Sequence, residues 1–192
     1  MKRALDVALA LPLLVVASPL VLALALAVRL TSAGPSLHRA TRVGKDGRPF
    51  AMLKLRTMHV GGGPAITPRD DPRITRLGRW LRDARLDELP QLWNVLRGDM
   101  SLVGPRPEDP RFVALYTKEQ RAVLEVRPGL TGPAQLVFRD ETASIDSADP
   151  EGSYASVVLP RKLALDLAYV RGRSLAGDVA IILRTAAAAL RR

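Results

Sequence analysis

The sequence predicts an α+β fold, mostly helical, with an apolar N-terminal membrane segment, a small β-hairpin and amphipathic helices at a membrane surface. Three observations carry this. The run from Val7 to Val28 contains no charged residue, Leu37 to Leu55 reads as two extended stretches around a Gly44-Lys45-Asp46-Gly47 turn, and apolar residues beyond residue 70 recur at helical spacing between Gly and Pro breaks. At 192 residues, with 47% hydrophobic and 25% charged residues, the chain is long enough for one domain with a core. Its 15 Pro and 14 Gly are scattered, which excludes collagen-like and disordered classes. The absence of Cys removes disulfides, thiolate zinc sites and a Cys nucleophile, and His38 and His59 are too few for a zinc cluster.

The first element, residues 1–30, is long enough to cross a bilayer, since its uncharged run would extend ~33 Å as a helix. Pro12 and Pro19 interrupt it, and a break or sharp kink is expected at Ser18-Pro19, where the serine hydroxyl can satisfy a carbonyl one turn back. Three readings stand open from these residues: a kinked spanning helix, a signal peptide cleaved near Ala25-Leu26-Ala27, and a re-entrant hairpin. Basic residues flank both ends, Lys2 and Arg3 before and Arg29, Arg39 and Arg42 after, which favours both ends on the cytoplasmic side.

Residues 31–192 read as the second unit. After the hairpin, Gly61 to Pro72 is too rich in Gly and Pro for regular structure and reads as a loop that closes over a ligand or simply connects. Arginine then recurs at 73, 76, 79, 82 and 85 in a helix suited to an anionic membrane surface or to plain solvent. Further helices are expected at Asp87 to Arg97, Arg111 to Glu125, Pro160 to Arg171 and Ser174 to Leu190. Asp140 to Gly152, acidic and rich in Ser, reads as a loop.

Charge narrows the function. Residues 29–85 carry a net +9, residues 1–28 a net +1, and residues 86–192 none, so an anionic partner is expected against one stretch. Aromatic residues at 4% argue against base-stacking platforms. Acid, base, Gly and Pro concentrate from Arg85 to Pro110. Asp87 reads as the N-cap of a helix with Glu88 in its first turn, an arrangement that would keep Asp87 ionised and could serve either as a plain cap or as a metal and phosphate site. Pro105 and Pro107 stiffen the backbone around Arg106, which suits bidentate phosphate binding or a structural cap. Arg127, before Pro128-Gly129, is a second candidate phosphate contact, and Lys54 and Arg56 add alternating basic residues from the hairpin.

Several motifs, taken in order, resemble the catalytic domain of the monotopic phosphoglycosyl transferases, bacterial sugar transferases that begin lipid-linked glycan assembly. They are Lys2-Arg3 with Asp6 and Ser18-Pro19, Lys54-Leu55-Arg56-Thr57-Met58, Asp71-Pro72-Arg73-Ile74-Thr75-Arg76, Leu86-Asp87-Glu88-Leu89-Pro90-Gln91, Gly98 to Pro107, and Arg127 to Gly132. The resemblance implies a re-entrant helix bent at Ser18 and Pro19, and a domain held on the cytoplasmic face of the bacterial inner membrane. It implies Asp87 as nucleophile toward a UDP-sugar, release of UMP, and passage of the phosphosugar to polyprenol phosphate. Mg²⁺ at Asp87 and Glu88 would offset repulsion, with Glu88 supporting the metal or assisting the lipid phosphate, and Lys54, Arg56, Arg106 and Arg127 would meet substrate phosphates. The implied partners are the UDP-sugar, polyprenyl phosphate and anionic lipids, without nucleic acid, and a homodimer is left open. Pro133-Ala134-Gln135 departs from the family's common Trp-Gln pair, and no additional spanning helices are expected. A catalytically silent anchored scaffold and an anchored nucleic-acid-binding module are the rival readings; neither accounts for the acidic pair together with the rigid Arg106 turn.

Overall fold

A computed structural model of the chain describes residues 1–63, 66–68, 70–138, 145–146 and 148–190. Helix α1 (Lys2–Thr31) is continuous, with Pro12 and Pro19 inside it, so the break expected at Ser18-Pro19 is not a loss of helical backbone. The reason is local. Pro19 has no N–H for the carbonyl four residues back, which is that of Val15, and the Ser18 hydroxyl donates to that carbonyl at 2.8 Å instead. Both ends of α1 rest on the remainder of the chain, through Asp6 and Ala10 near its start and Leu24 and Val28 near its end, whereas Leu11, Leu13, Val15, Val16 and Leu20 are exposed between them.

Strands β1 (Leu37–Val43) and β2 (Pro49–Leu55) form the expected antiparallel hairpin, with His38 opposite Lys54. A 3-10 turn at Lys45–Gly47 connects them. Helix α2 (Arg76–Asp83) is shorter than the arginine periodicity suggests. It begins where the Thr75 hydroxyl accepts the Gly78 N–H at 2.9 Å, and Gly78 lies so close to the Thr57 carbonyl that a Cβ there would collide with it.

The helix expected from Asp87 starts later, as α3 (Gln91–Arg97), with Pro90 as its N-cap; Asp87 therefore does not cap it. Leu86–Glu88 forms a 3-10 turn instead. Pro90 cannot donate to the Leu86 carbonyl, and that carbonyl takes the Leu89 N–H at 3.4 Å, one residue tighter than in an α-helix. Gly98, at φ 92, closes α3 in the left-handed conformation that glycine adopts without strain.

Strand β3 (Ser101–Val103) pairs in parallel with β4 (Gly129–Thr131), a contact too short to show in sequence. The single helix expected from Arg111 to Glu125 is split into α4 (Pro110–Val113) and a 3-10 turn at Gln120–Glu125. The divider is a reciprocal cap: Gln120 Oε1 accepts the Thr117 N–H, and Thr117 Oγ1 accepts the Gln120 N–H. Helix α5 (Pro133–Val137) follows. Helix α6 (Pro150–Ser153) passes through a π-helical turn, Tyr154–Val158, into α7 (Leu159–Gly172), and α8 (Leu175–Leu190) ends the described chain, so both late helices lie close to their expected positions. Of the two expected loops, residues 64, 65, 69, 140–144 and 147, with the Asp140-Glu141 pair, lie outside the described residues. The end of the second loop is helical, because Asp149 accepts the Gly152 N–H and starts α6.

Three apolar clusters hold these elements together. In one, Ala10 of α1 packs with Leu92, Val95 and Met100; in the second, Leu24 and Val28 pack with Leu55 and Leu81; in the third, Phe112 meets Tyr154, Leu159 and Leu163. Because α1 contributes to two of the three, it packs as part of the same body as the described residues that follow it.

Candidate active site

A cleft of about 1470 Å³ lies between the hairpin, residues 61–63 and 66–68, α2, the Leu86–Glu88 turn and the turn after β3. Arg73, Arg79, Arg82 and Arg85 all line it, so much of the positive stretch is gathered on one concavity. Arg73 is clamped there by Asp71, whose carboxylate accepts its Nε at 3.0 Å and its Nη2 at 2.6 Å.

Asp87 and Glu88 both face this cleft. Arg85, at φ 56, turns the chain sharply just before them, and the 3-10 turn sets the two side chains at its rim. Glu88 Oε1 accepts Lys54 Nζ at 3.0 Å and Arg106 Nη2 at 3.4 Å, so β2 and the Gly104–Pro107 turn converge on one carboxylate. Burial pushes the Glu88 carboxyl up, but Lys54 and Arg106 outweigh it and hold the group ionised, well below the usual carboxylate range. Asp87 is more deeply set, at 6% exposed, and among the described residues it makes no ion pair. Its pKa is raised, by burial first and by the Glu88 charge next, against the pull of Lys54, Arg82 and Arg106. The sequence expectation of an N-capping carboxylate kept ionised by a helix end is thus replaced by a buried carboxylate held among three cations.

The Arg106 turn is fixed from several sides. Gly104 N–H donates to Thr131 O at 2.9 Å, and Gly129 N–H donates to Pro105 O at 2.8 Å. From α7, the Asp166 carboxyl lies near the backbone N–H groups of Arg106 and Ala134, which favour its charged form. Its Oδ1 is buried without a partner, and burial drives its pKa up to about 7 despite the nearby Lys162. Two residues past Arg106, Glu108 accepts the Tyr154 hydroxyl at 2.6 Å and Lys162 Nζ at 2.8 Å.

The family described as Bacterial sugar transferase matches residues 1–192 of this chain. The chain belongs to that family. Within the bacterial sugar transferases it is 46% identical over 191 residues to a UDP-glucose:undecaprenyl-phosphate glucose-1-phosphate transferase of Caulobacter vibrioides, covering 96% of this chain and 67% of the relative. It is 37% identical over 196 residues to the protein of the same description from Escherichia coli K12, covering 96% of this chain and 39% of that one. It is also 37% identical over 190 residues to a UDP-N-acetylgalactosamine-undecaprenyl-phosphate N-acetylgalactosaminephosphotransferase of Aeromonas hydrophila, covering 96% of this chain and 42% of the relative. The chain therefore spans about two thirds of the first relative and about two fifths of the other two.

Against this family background, the six side chains expected at the site divide. Asp87, Glu88, Lys54 and Arg106 come together. Arg56, also beside the cleft, is buried with its guanidinium turned to the end of α1, where it donates to the carbonyls of Ser32 at 2.8 Å and of Ala33, and to the Ser32 hydroxyl at 2.9 Å. It caps a helix C-terminus rather than reaching for phosphate. Arg127 is exposed outside the cleft lining and donates through Nε to Gly98 O at 2.8 Å.

Arg82 is the cationic contact that sequence reasoning passed over. Its Nε donates to Thr57 Oγ1 at 2.8 Å, and its charge acts on Asp87; in sequence it was one of five evenly spaced arginines with nothing to single it out. Among the described residues no group of three or more His, Asp or Glu gathers into a metal cage. A buried carboxylate with no ion pair beside a second, ionised one still suits Mg²⁺, which binds through one or two carboxylates and completes its shell with water and substrate phosphate.

Proposed function

We propose that the chain transfers a sugar 1-phosphate from a UDP-sugar to a polyprenyl phosphate, with Asp87 as the nucleophile and UMP as the leaving group. The observation that carries this is the meeting of Lys54 and Arg106 on Glu88 beside a buried Asp87, in a cleft walled by arginines. In the first half-reaction an Asp87 carboxylate oxygen bonds to the sugar-bearing phosphorus, the bond from that phosphorus to the UMP oxygen breaks, and UMP departs with the electron pair. In the second, an oxygen of the lipid phosphate attacks the same phosphorus and the carboxylate is restored. Splitting one displacement into two lets a water-soluble donor and a lipid acceptor use the same place in turn. Lys54, Arg82 and Arg106 supply positive charge where diphosphate charge would gather, before any substrate arrives. Asp87 and Glu88 would hold Mg²⁺, which when bound offsets repulsion between carboxylate and diphosphate.

The seating of α1 supports a monotopic, re-entrant arrangement on the cytoplasmic face. Near its start, Arg3 donates to the Val95 carbonyl at 2.5 Å and the Leu96 carbonyl at 2.7 Å; at its other end, Arg56 closes the last turn. Both ends are thus tied to one domain, and an apolar stretch of exposed Leu and Val remains between them for lipid. The relatives' names divide between glucose and N-acetylgalactosamine, so the deciding experiment measures UMP release from both UDP-sugars, with and without undecaprenyl phosphate. One sugar should support turnover, and Asp87→Asn should abolish UMP release and the sugar-phosphate adduct seen by intact-protein mass spectrometry. Normal turnover by that variant would remove Asp87 as the nucleophile.

A further inference from the structure

Asp6 is a carboxylate on the apolar helix, 3% exposed, in a position where burial without purpose is costly. It does not reach the cleft. Its Oδ1 accepts the Ser101 hydroxyl at 2.9 Å and the Leu102 N–H at 3.0 Å, both buried. Strand β3 uses its other edge for β4, through Ser101 N–H to Pro128 O at 2.8 Å and Gly104 N–H to Thr131 O at 2.9 Å. The Leu102 N–H therefore points away from β4, and Asp6 occupies the place that a third strand would take.

The chain then runs from Leu102 through Val103 into Gly104-Pro105-Arg106, and Pro105 leaves little slack between the strand and Arg106. Further contacts reinforce the same edge. Lys2 Nζ donates to Asp178 Oδ2 at 2.6 Å, and the Tyr169 hydroxyl lies 2.7 Å from Asp178 Oδ1 and 3.3 Å from the Val103 carbonyl. The first two turns of α1, α7, α8 and β3 are thus linked by polar contacts.

We infer that Asp6 is a positioning residue: through β3 it holds Arg106 opposite Glu88, so that the seat of the membrane helix sets the geometry of the anion site. This deepens the transferase reading and rests on it for the role of Arg106 in catalysis, but the placement of Arg106 can be read without any turnover. Both hydrogen bonds end on one acceptor oxygen, so what β3 takes from Asp6 is that oxygen. Asparagine can present the same oxygen, and alanine cannot.

The test uses the full chain in detergent and inorganic pyrophosphate as the probe, titrated by calorimetry for wild type, Asp6→Asn, Asp6→Ala, Arg106→Ala and the Asp6→Ala/Arg106→Ala pair. Asp6→Asn should bind pyrophosphate within ~2-fold of wild type, and Asp6→Ala should bind it ~10-fold more weakly, the loss expected when a strand carrying one charged contact is released. In the Arg106→Ala background Asp6→Ala should cost nothing further, because the effect travels through Arg106. Additive losses, an Asn variant as weak as the Ala variant, or an Ala variant that binds as wild type does would each overturn the inference. Should Asp6→Ala fail to fold, the Asn variant still decides: loss of binding there refutes the single-oxygen argument, and retention with normal Arg106 dependence upholds it. Wild type that binds pyrophosphate in this pattern but releases no UMP from any UDP-sugar would fail the transferase reading and leave the placement of Arg106 by Asp6 standing.

Discussion

Asp166→Asn should flatten the pH dependence of folding stability between about pH 4 and pH 7. In the folded chain the Asp166 carboxyl titrates near pH 7, against an ordinary value of 3.8, because it is buried with one oxygen unpartnered. Between those two values the folded chain keeps a proton that the unfolded chain has released, so stability falls as pH rises. The favourable contribution is complete below the unfolded value and is lost as pH climbs through about 7. A separation of about three units, at ~1.36 kcal/mol each, amounts to ~4 kcal/mol across the window. Asparagine has no proton to keep and preserves an oxygen near the Arg106 and Ala134 N–H groups. The variant should match wild type near pH 4 and exceed it by up to ~4 kcal/mol at pH 8. Urea midpoints in one detergent at fixed ionic strength, followed by far-UV circular dichroism, measure this. Asp87 is raised in the same direction, so the difference between the two curves isolates Asp166. Parallel curves for wild type and variant would refute the reasoning.

Four other outcomes follow from the same geometry. Lys54→Met leaves Glu88 with Arg106 at 3.4 Å as its remaining close cation, and kcat/KM for the UDP-sugar should fall by ~100-fold in a UMP-release assay. Asp87 must be ionised to act and its pKa is raised by burial, so kcat/KM should decline on the acid side at a pH above the ordinary carboxylate range while Glu88 stays ionised; a profile flat down to pH 4 would contradict this. Arg56→Ala should lower stability by ~3 kcal/mol in thermal melts with little change in KM, since its bonds go to the end of α1, and Arg127→Ala should leave KM within ~2-fold. Ala4→Cys, at an exposed position next to the bound Arg3, should be labelled from the same side as the domain in sealed vesicles, and labelling from the opposite side would contradict the seating of α1.

The hairpin, α3 with its glycine stop, and the last two helices were legible because each rests on local signals: turn chemistry, a left-handed glycine and an apolar period. Asp87, Glu88 and Arg106 were legible because acids, bases and stiffened turns crowd a short span, and Lys54 because basic residues alternate at the end of the hairpin. The misreadings have equally local causes. Pro90 falls in the first turn of a helix begun at Asp87, and its missing N–H forces the tighter turn that carries the acids. Thr117 and Gln120 form a cap inside what reads as a continuous helix. Arg56 and Arg127 bear the same charge as Lys54 and Arg106, and only tertiary placement separates a guanidinium that ends a helix from one that meets a carboxylate. Arg82 was one of five evenly spaced arginines and Asp166 stood in no motif; their significance is a matter of what lies across from them.

The packing of Ala10, Leu24 and Val28 against the domain bears on how this protein can be handled. Trimming away the greasy leader to obtain a soluble catalytic fragment would strip two of the three cores of a wall, strand Arg56 without the carbonyls it covers, and uncover an edge of β3. Such a fragment should be recovered as aggregate. Detergent or lipid that covers the exposed Leu and Val of the intact first helix should instead be needed to recover the folded chain.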